Sequence, residues 1–276
     1  MTDAIVQELR LYPLKSARGL SVAQARLAGT GLERDRHWLA IRADGTFLTQ
    51  RTHPALARIA PALTASGLRL ETEGLDPLDL PYEAPGPVRD VRIWRDRCAA
   101  VDQGEPAAQW ISAALATSAR LVRTPGVPPR RADPTYAGRT PVPLNFADGY
   151  PLLVCNQASL DALNQRLPAP LPMERFRPNI VLTGLAPFAE DHIAAVQFGP
   201  IRLQLVKPCT RCIIPSIDPR SGRRDLDPLP ALRAFRFDPA LRGVTFGENA
   251  IVVTGIGERI ERGARGVLVL EDSERR

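Results

Sequence analysis

The feature that most constrains this chain is how often it is interrupted. It carries 27 prolines and 20 glycines in 276 residues, and its uninterrupted apolar runs stop at four or five residues, as at Val267–Leu270. What lies between these breaks reads mostly as short strands with few helices. A strand is expected over 4–12, ending at Pro13. Residues 36–42 and 46–51 are expected to pair through Ala43-Asp44-Gly45, because Asp-Gly supplies the positive φ of a tight turn. Further pairs are expected at 68–72 with 77–81, and at 90–94 with 98–102 around Arg95-Asp96. Trp110, Ile111 and Leu115 recur at helical spacing, which predicts a helix over 105–116. Six prolines between Thr124 and Pro143 mark a long connecting loop. Beyond it, strands are predicted at 152–155, 179–183, 193–198, 201–207, 249–254 and 266–271. Short helices are predicted at 158–166, with Asn156 or Ser159 as N-cap, and at 229–236. Regularly spaced short strands argue for a mainly β, β-barrel fold with a few short helices rather than a doubly wound sheet. The expected division is a first barrel over 1–123, a connection over 124–143 and a second barrel over 144–276.

Composition then removes several functional classes. With 44% hydrophobic and 24% charged residues, the chain is not disordered as a whole. No segment approaches the roughly 18–20 apolar residues that span a bilayer. The N-terminus has Asp3 and Glu8 and no secretory core, so the expectation is a cytoplasmic protein without a membrane partner. The net charge is +6, yet the longest basic runs are pairs such as Arg130–Arg131 and Arg223–Arg224. Nucleic acid is therefore not the expected partner, since backbone tracking needs a concentrated stripe. The basic residues are 34 Arg and only two Lys, Lys15 and Lys207. These two are either accidents of composition or positions where a compact ammonium matters.

No phosphate-binding G-x-x-x-x-G-K-[ST] loop is present, Gly255-Ile256-Gly257 lacks the third glycine of a dinucleotide site, and no G-x-S-x-G elbow occurs. His37, His53 and His192 lie far apart, without zincin spacing. Cys209-Thr210-Arg211-Cys212 is the one C-x-x-C. Cys98 and Cys155 are singletons, so a zinc site lacks its second pair. The motif ends a strand in an all-β half, which is not the thioredoxin setting. What remains is either a structural cysteine pair or a reactive or ligating thiolate beside Arg211 and Lys207.

The segment Lys207-Pro-Cys-Thr-Arg-Cys-Ile-Ile-Pro-Ser-Ile-Asp-Pro-Arg-Ser-Gly222 resembles the signature of the MOSC (molybdenum cofactor sulfurase C-terminal) family. Arg175-Phe-Arg-Pro-Asn179, Phe146-Ala-Asp-Gly-Tyr-Pro151 and Gln157-Ala-Ser-Leu160 match further motifs of that family. The first half resembles the β-barrel domain that precedes MOSC, through Tyr12-Pro-Leu-Lys-Ser-Ala-Arg-Gly19, Gly31-Leu-Glu-Arg-Asp-Arg36 and Phe47-Leu-Thr-Gln-Arg51. The motifs run in order along nearly the whole chain. The subgroup resembled most is that of the amidoxime-reducing components.

This resemblance implies an N-terminal barrel followed by a pyruvate-kinase-type barrel, and a molybdenum cofactor (Mo-molybdopterin). It implies that Cys212 ligates the metal, with Cys209 as a neighbour, and that Lys15, Ser16, Arg36, Ser159, Arg177, Asn179, Thr210 and Arg211 bind the cofactor. Such a group needs cations and N–H donors at its phosphate end and a soft ligand at the other. Asn179 and Asp148 are either site residues or braces. The implied activity is an oxidoreductase that removes oxygen from small N-hydroxylated substrates. Some relatives carry a C-terminal ferredoxin-like domain; without its four-cysteine set, electrons are expected from a separate ferredoxin, flavodoxin or cytochrome-type donor with its reductase. The membrane anchor of the mitochondrial relatives is not seen here, and the family's acidic pair followed by tryptophan appears as Glu190-Asp191-His192. The alternative is a carrier that holds the cofactor or relays sulfur without turnover.

Overall fold

The computed structural model of the chain describes residues 3–270. Seven strands close a barrel: β1 (Asp3–Leu11), β2 (Leu152–Asn156), β3 (Ile180–Thr183), β4 (Ile193–Phe198), β5 (Ile201–Thr210), β6 (Gly243–Thr254) and β7 (Arg265–Leu270). Their order around the barrel is β2-β3-β1-β7-β4-β5-β6, and β6 pairs back to β2. Every contact is antiparallel except β2 with β3. Closure leaves no unpaired edge among these strands. The topology draws the chain's first strand into the second half: β1 sits between β3 and β7, with Leu9 opposite Ile180 and Ile5 opposite Arg265.

Burial explains which segments the sequence made legible. All five residues of β2 are buried. Leu152 and Val154 join the cluster that includes Leu9, Ile180 and Leu203, while Leu153 and Cys155 pack with Leu160, Leu163 and Leu232 of the covering helices Gln157–Asn164 and Leu229–Arg236. Burial on both faces is why this segment reads as a continuous apolar run. Asn156 caps the first of these helices by accepting from the Ala158 amide at 3.1 Å. Gly247, at φ +74°, lets β6 approach β2 closely; a Cβ there would lie 2.5 Å from the Cys155 sulfur.

In the first half, Trp38–Ile41, Arg120–Arg123, Asp96–Asp102 and Val88–Ile93 form a four-stranded antiparallel sheet, and Ala60–Leu63, Gly67–Thr72 and Leu75–Pro81 form a meander. The helix Gly104–Leu115 supplies Ala107, Ile111 and Leu115 to a core with Trp38, Leu68, Leu80 and Leu121. Burying each Leu or Ile here contributes about 1.5–3 kcal/mol.

Two hairpins, the 105–116 helix and the later strands fall where expected. The pair 36–42 with 46–51 is only half formed. Gly45 makes the turn at φ +78° and its N–H donates to the Arg42 carbonyl, but after a bridge from Ile41 to Phe47 the second arm turns away at residues 49–52. The proline-rich connection holds a short pairing of Arg130–Arg131 with Pro143–Leu144 and a single helical turn, Pro134–Ala137, capped by Asp133. The strands between residues 20 and 32 were not anticipated; Gln24–Ala28 pairs with Arg259–Glu261, far along the chain. The end of the last expected strand, residue 271, lies outside the described residues.

Candidate functional site

A cavity of about 330 Å³ opens between the two halves, within the usual range of small-ligand sites. Two segments of the first half zip together to form one wall. The Tyr12 amide donates to the Asp35 carboxylate at 2.8 Å, the Arg36 amide to the Tyr12 carbonyl at 2.9 Å and the Lys15 amide to the Trp38 carbonyl at 2.9 Å. This pairing presents Lys15, Ser16 and Arg36 to one space. Ser16, Arg36 and Arg177 all hold left-handed backbones, with φ of +67°, +46° and +58°. Such conformations cost on the order of 1–3 kcal/mol for residues other than glycine and persist where the surroundings over-determine them.

The other wall comes from the end of β5. Lys207, Pro208, Cys209 and Thr210 line the cavity as four consecutive residues, which an unbroken strand with alternating side chains does not allow. The register between β5 and β6 shifts between Leu205 and Lys207 and again between Pro208 and Thr210. These bulges break the alternation and turn the strand end toward the site. Pro208, without an N–H, suits such an interruption.

Both lysines of the chain face this one cavity. Lys15 Nζ donates to the Phe146 carbonyl at 2.6 Å and pairs with Asp148. Burial lowers its pKa to about 8, against the opposing pull of the Asp148 charge. Burial works against ionisation of Asp148 too, but Lys15 and then Arg51 outweigh it and hold that carboxyl well below the usual range. Arg36 pairs with buried Asp35 and donates to Asn179 Oδ1 at 3.0 Å. Arg177 has no acid partner among the described residues. It donates to the Ala17 carbonyl at 2.7 Å, and burial lowers its pKa to about 10. Arg36 and Arg177 both stack on Tyr12, at 4.3 and 4.2 Å from its ring centre. Burial pushes the Tyr12 hydroxyl up to about 12 despite those two cations, so the ring stays neutral between them.

All four cysteines are free thiols. Burial pushes Cys98 up to about 11 and Cys155 well above the ordinary thiol value, which leaves both unreactive. Cys209 and Cys212 are only partly buried and line the cavity. Arg211 donates to Cys209 Sγ at 3.0 Å and to the Phe176 carbonyl at 2.7 Å. Arg51 donates to Cys212 Sγ at 3.2 Å.

Of the residues expected at the site, Lys15, Ser16, Arg36, Arg177, Asn179, Thr210, Arg211 and Cys212 share this cavity, and Asp148 lines it with them. Asn179 is also a brace. Its side-chain oxygen accepts from Arg36 and the Leu153 amide, and its side-chain nitrogen donates to the Arg10 carbonyl. Ser159 is placed elsewhere. It is fully buried, and its hydroxyl donates to Glu190 and accepts from the Phe188 amide, both at 2.8 Å. Arg51 was not anticipated as a site residue, although it closes the Phe47–Arg51 motif.

Among the described residues, no group of three or more His, Cys, Asp or Glu is placed to hold a metal. A metal at Cys212 would have to bring other ligands with it. Among those residues, too, no helix is long and apolar enough to cross a membrane.

Comparison with known proteins agrees with this architecture. Residues 3–118 match the MOSC N-terminal beta barrel domain, and residues 141–263 match the MOSC domain. The mouse mitochondrial amidoxime-reducing component 1 is 37% identical over 85% of this chain and 72% of its own length. The rat mitochondrial amidoxime reducing component 2 is 31% identical over 87% of this chain and 75% of its own. The human component 1 is 34% identical over 86% and 74%. These names correct the expected cytoplasmic location: the relatives are mitochondrial proteins, so the lack of a recognisable signal does not carry a cytoplasmic assignment. With both domains matched in order and relatives similar over most of its length, the chain belongs to the MOSC family, in the two-domain form shared with the amidoxime-reducing components.

Proposed function

We propose that this protein is a molybdenum-cofactor-dependent oxidoreductase that reduces N-hydroxylated compounds, with Cys212 as the protein's thiolate on the metal. The observation that carries the reading is the make-up of the cavity. A partly buried thiol shares it with three cations, Arg177, Lys207 and Arg211, whose contacts are a carbonyl, an aromatic ring and a sulfur rather than a paired carboxylate. A pterin phosphate fits such cations, because charge-assisted hydrogen bonds are strongest where no carboxylate competes. The soft thiolate suits the metal end. Lys15, Ser16, Arg36, Asn179 and Thr210 complete the walls. The site lies between the halves expected from sequence, 1–123 and 144–276.

When bound, the cofactor supplies the metal's two-electron redox chemistry and its affinity for oxygen. Converting N–OH to N–H with release of water consumes two electrons and two protons. The electrons come from a separate ferredoxin, flavodoxin or cytochrome-type donor with its reductase. Lys15 holds a proton at Nζ inside the cavity, and its lowered pKa of about 8 keeps that proton available near neutral pH. Arg51 holds the Cys212 sulfur toward the cavity at 3.2 Å.

The test is molybdenum per chain after gel filtration, for wild type and Cys212→Ser from a host that makes the cofactor. Near-stoichiometric metal in the wild type and a loss of roughly tenfold or more in the variant is the expected result. Equal metal in both would remove Cys212 from the site. The two partly buried thiols in one cavity favour a second reading, a carrier of the cofactor or of sulfur. Repeated turnover of an amidoxime with a chemical reductant separates an enzyme from that carrier.

A further inference from the structure

Trp94 is at odds with its position. It occupies the first central place of the two-residue turn between Val88–Ile93 and Asp96–Asp102, where Ile93 pairs with Asp96. Its φ is +55°, a conformation that favours glycine at that place in a hairpin. The largest of side chains is thus held in a strained backbone, and it is 48% exposed. Strain of this kind points toward function when the surroundings fix it.

The surroundings do fix it. The indole N–H donates to Asp148 Oδ1 at 3.2 Å. The Arg51 guanidinium lies 4.8 Å from the ring centre, and the Phe47 ring meets it edge-on at 5.0 Å. Asp148 and Arg51 both line the cavity, and Arg51 reaches the Cys212 sulfur. One residue therefore separates an exposed aromatic surface from the Cys212 thiol.

On the reading proposed above, we infer that Trp94, just outside the lining and held against Asp148 and Arg51, is a specificity-determining surface beside the cavity. It stacks flat aromatic substrates while their N–OH group points inward past Arg51. A fixed indole gives a planar ring contact area at little entropic cost. A small aliphatic substrate cannot use that surface, so Trp94 separates aryl from alkyl N-hydroxylated compounds.

The experiment compares benzamidoxime with acetamidoxime in molybdenum-loaded wild type, Trp94→Asn and Trp94→Phe. Asparagine tolerates the left-handed backbone, and phenylalanine keeps a ring but loses the bond to Asp148. The ratio of kcat/KM for the aryl over the alkyl substrate should fall about tenfold in Trp94→Asn and stay close to wild type in Trp94→Phe. An unchanged ratio in Trp94→Asn overturns the inference, as does an equal fall in Trp94→Phe, which would make Trp94 only a support for Asp148. A second measurement is independent of turnover. Benzamidoxime should quench tryptophan fluorescence of the cofactor-free protein, and that quenching should disappear in Trp94→Phe. If loaded wild type reduces neither compound, the proposed function falls. Quenching dependent on Trp94 then still supports the aromatic contact, and its absence overturns it.

Discussion

The two walls of the cavity carry similar numbers of cations in opposite states. On the first-half wall, Lys15, Arg36 and Arg51 each meet a carboxylate, at Asp148 or Asp35. On the barrel wall, Arg177, Arg211 and Lys207 meet a carbonyl, a sulfur and an aromatic ring instead. The first set is part of the architecture, because each charge is already answered within the protein. The second set has attraction left over for an anion. Counting basic residues would treat the walls as equal; their partners tell them apart.

Three substitutions test this contrast. Arg36→Gln should be the most damaging to stability, because it leaves Asp35, whose side chain is 1% exposed, without its cation. The expected loss is about 3–5 kcal/mol in urea unfolding. A loss well under 1 kcal/mol would mean that the pair is not part of the framework. Arg177→Gln should behave in the opposite way, with stability changed by about 1 kcal/mol or less. Molybdenum retained per chain should fall roughly tenfold, the worth of one charge-assisted bond. If retention is unchanged, the barrel wall is not the anion's wall.

The third test is a pH slope. The folded pKa of Lys15, about 8, lies below its ordinary value of 10.5. Between those values the folded protein binds fewer protons than the unfolded chain, so stability rises with pH across that window. Subtracting the Lys15→Met curve from wild type isolates the slope. A flat difference between pH 8 and 10 would show that Lys15 is not held in a desolvating environment.

The sequence revealed strands whose burial is local in pattern and concealed those whose reason is distant. Leu152–Asn156 and Ile193–Phe198 announce themselves by their own apolar residues. Gln24–Ala28 does not, since its partner is Arg259–Glu261 and its five residues carry only two buried side chains. The turn at Gly45 was legible from Asp-Gly. The failure of its second arm was not, because residues 49–52 leave the sheet to bring Arg51 to a cysteine 161 positions away. Cys212 and most of its cavity neighbours became readable through motif resemblance rather than spacing. Ser159 shows the limit of that route. It belongs to a recognisable motif, but its hydroxyl serves Glu190 and Phe188, and only the fold distinguishes that bracing task from ligand binding.

The placement of β1 has a consequence for how the molecule is assembled. Its two barrel neighbours lie roughly 170 and 260 residues downstream, an extreme of non-local pairing. At about 5–20 residues per second of synthesis, β1 leaves the ribosome many seconds before either partner. Among the described residues Arg265–Leu270 is the last strand made, and it is one of the two between which β1 is seated. Barrel closure therefore waits until both Ile180–Thr183 and Arg265–Leu270 have been made. A fragment beginning at residue 144 carries six of the seven staves, with an open seam between Ile180–Thr183 and Arg265–Leu270.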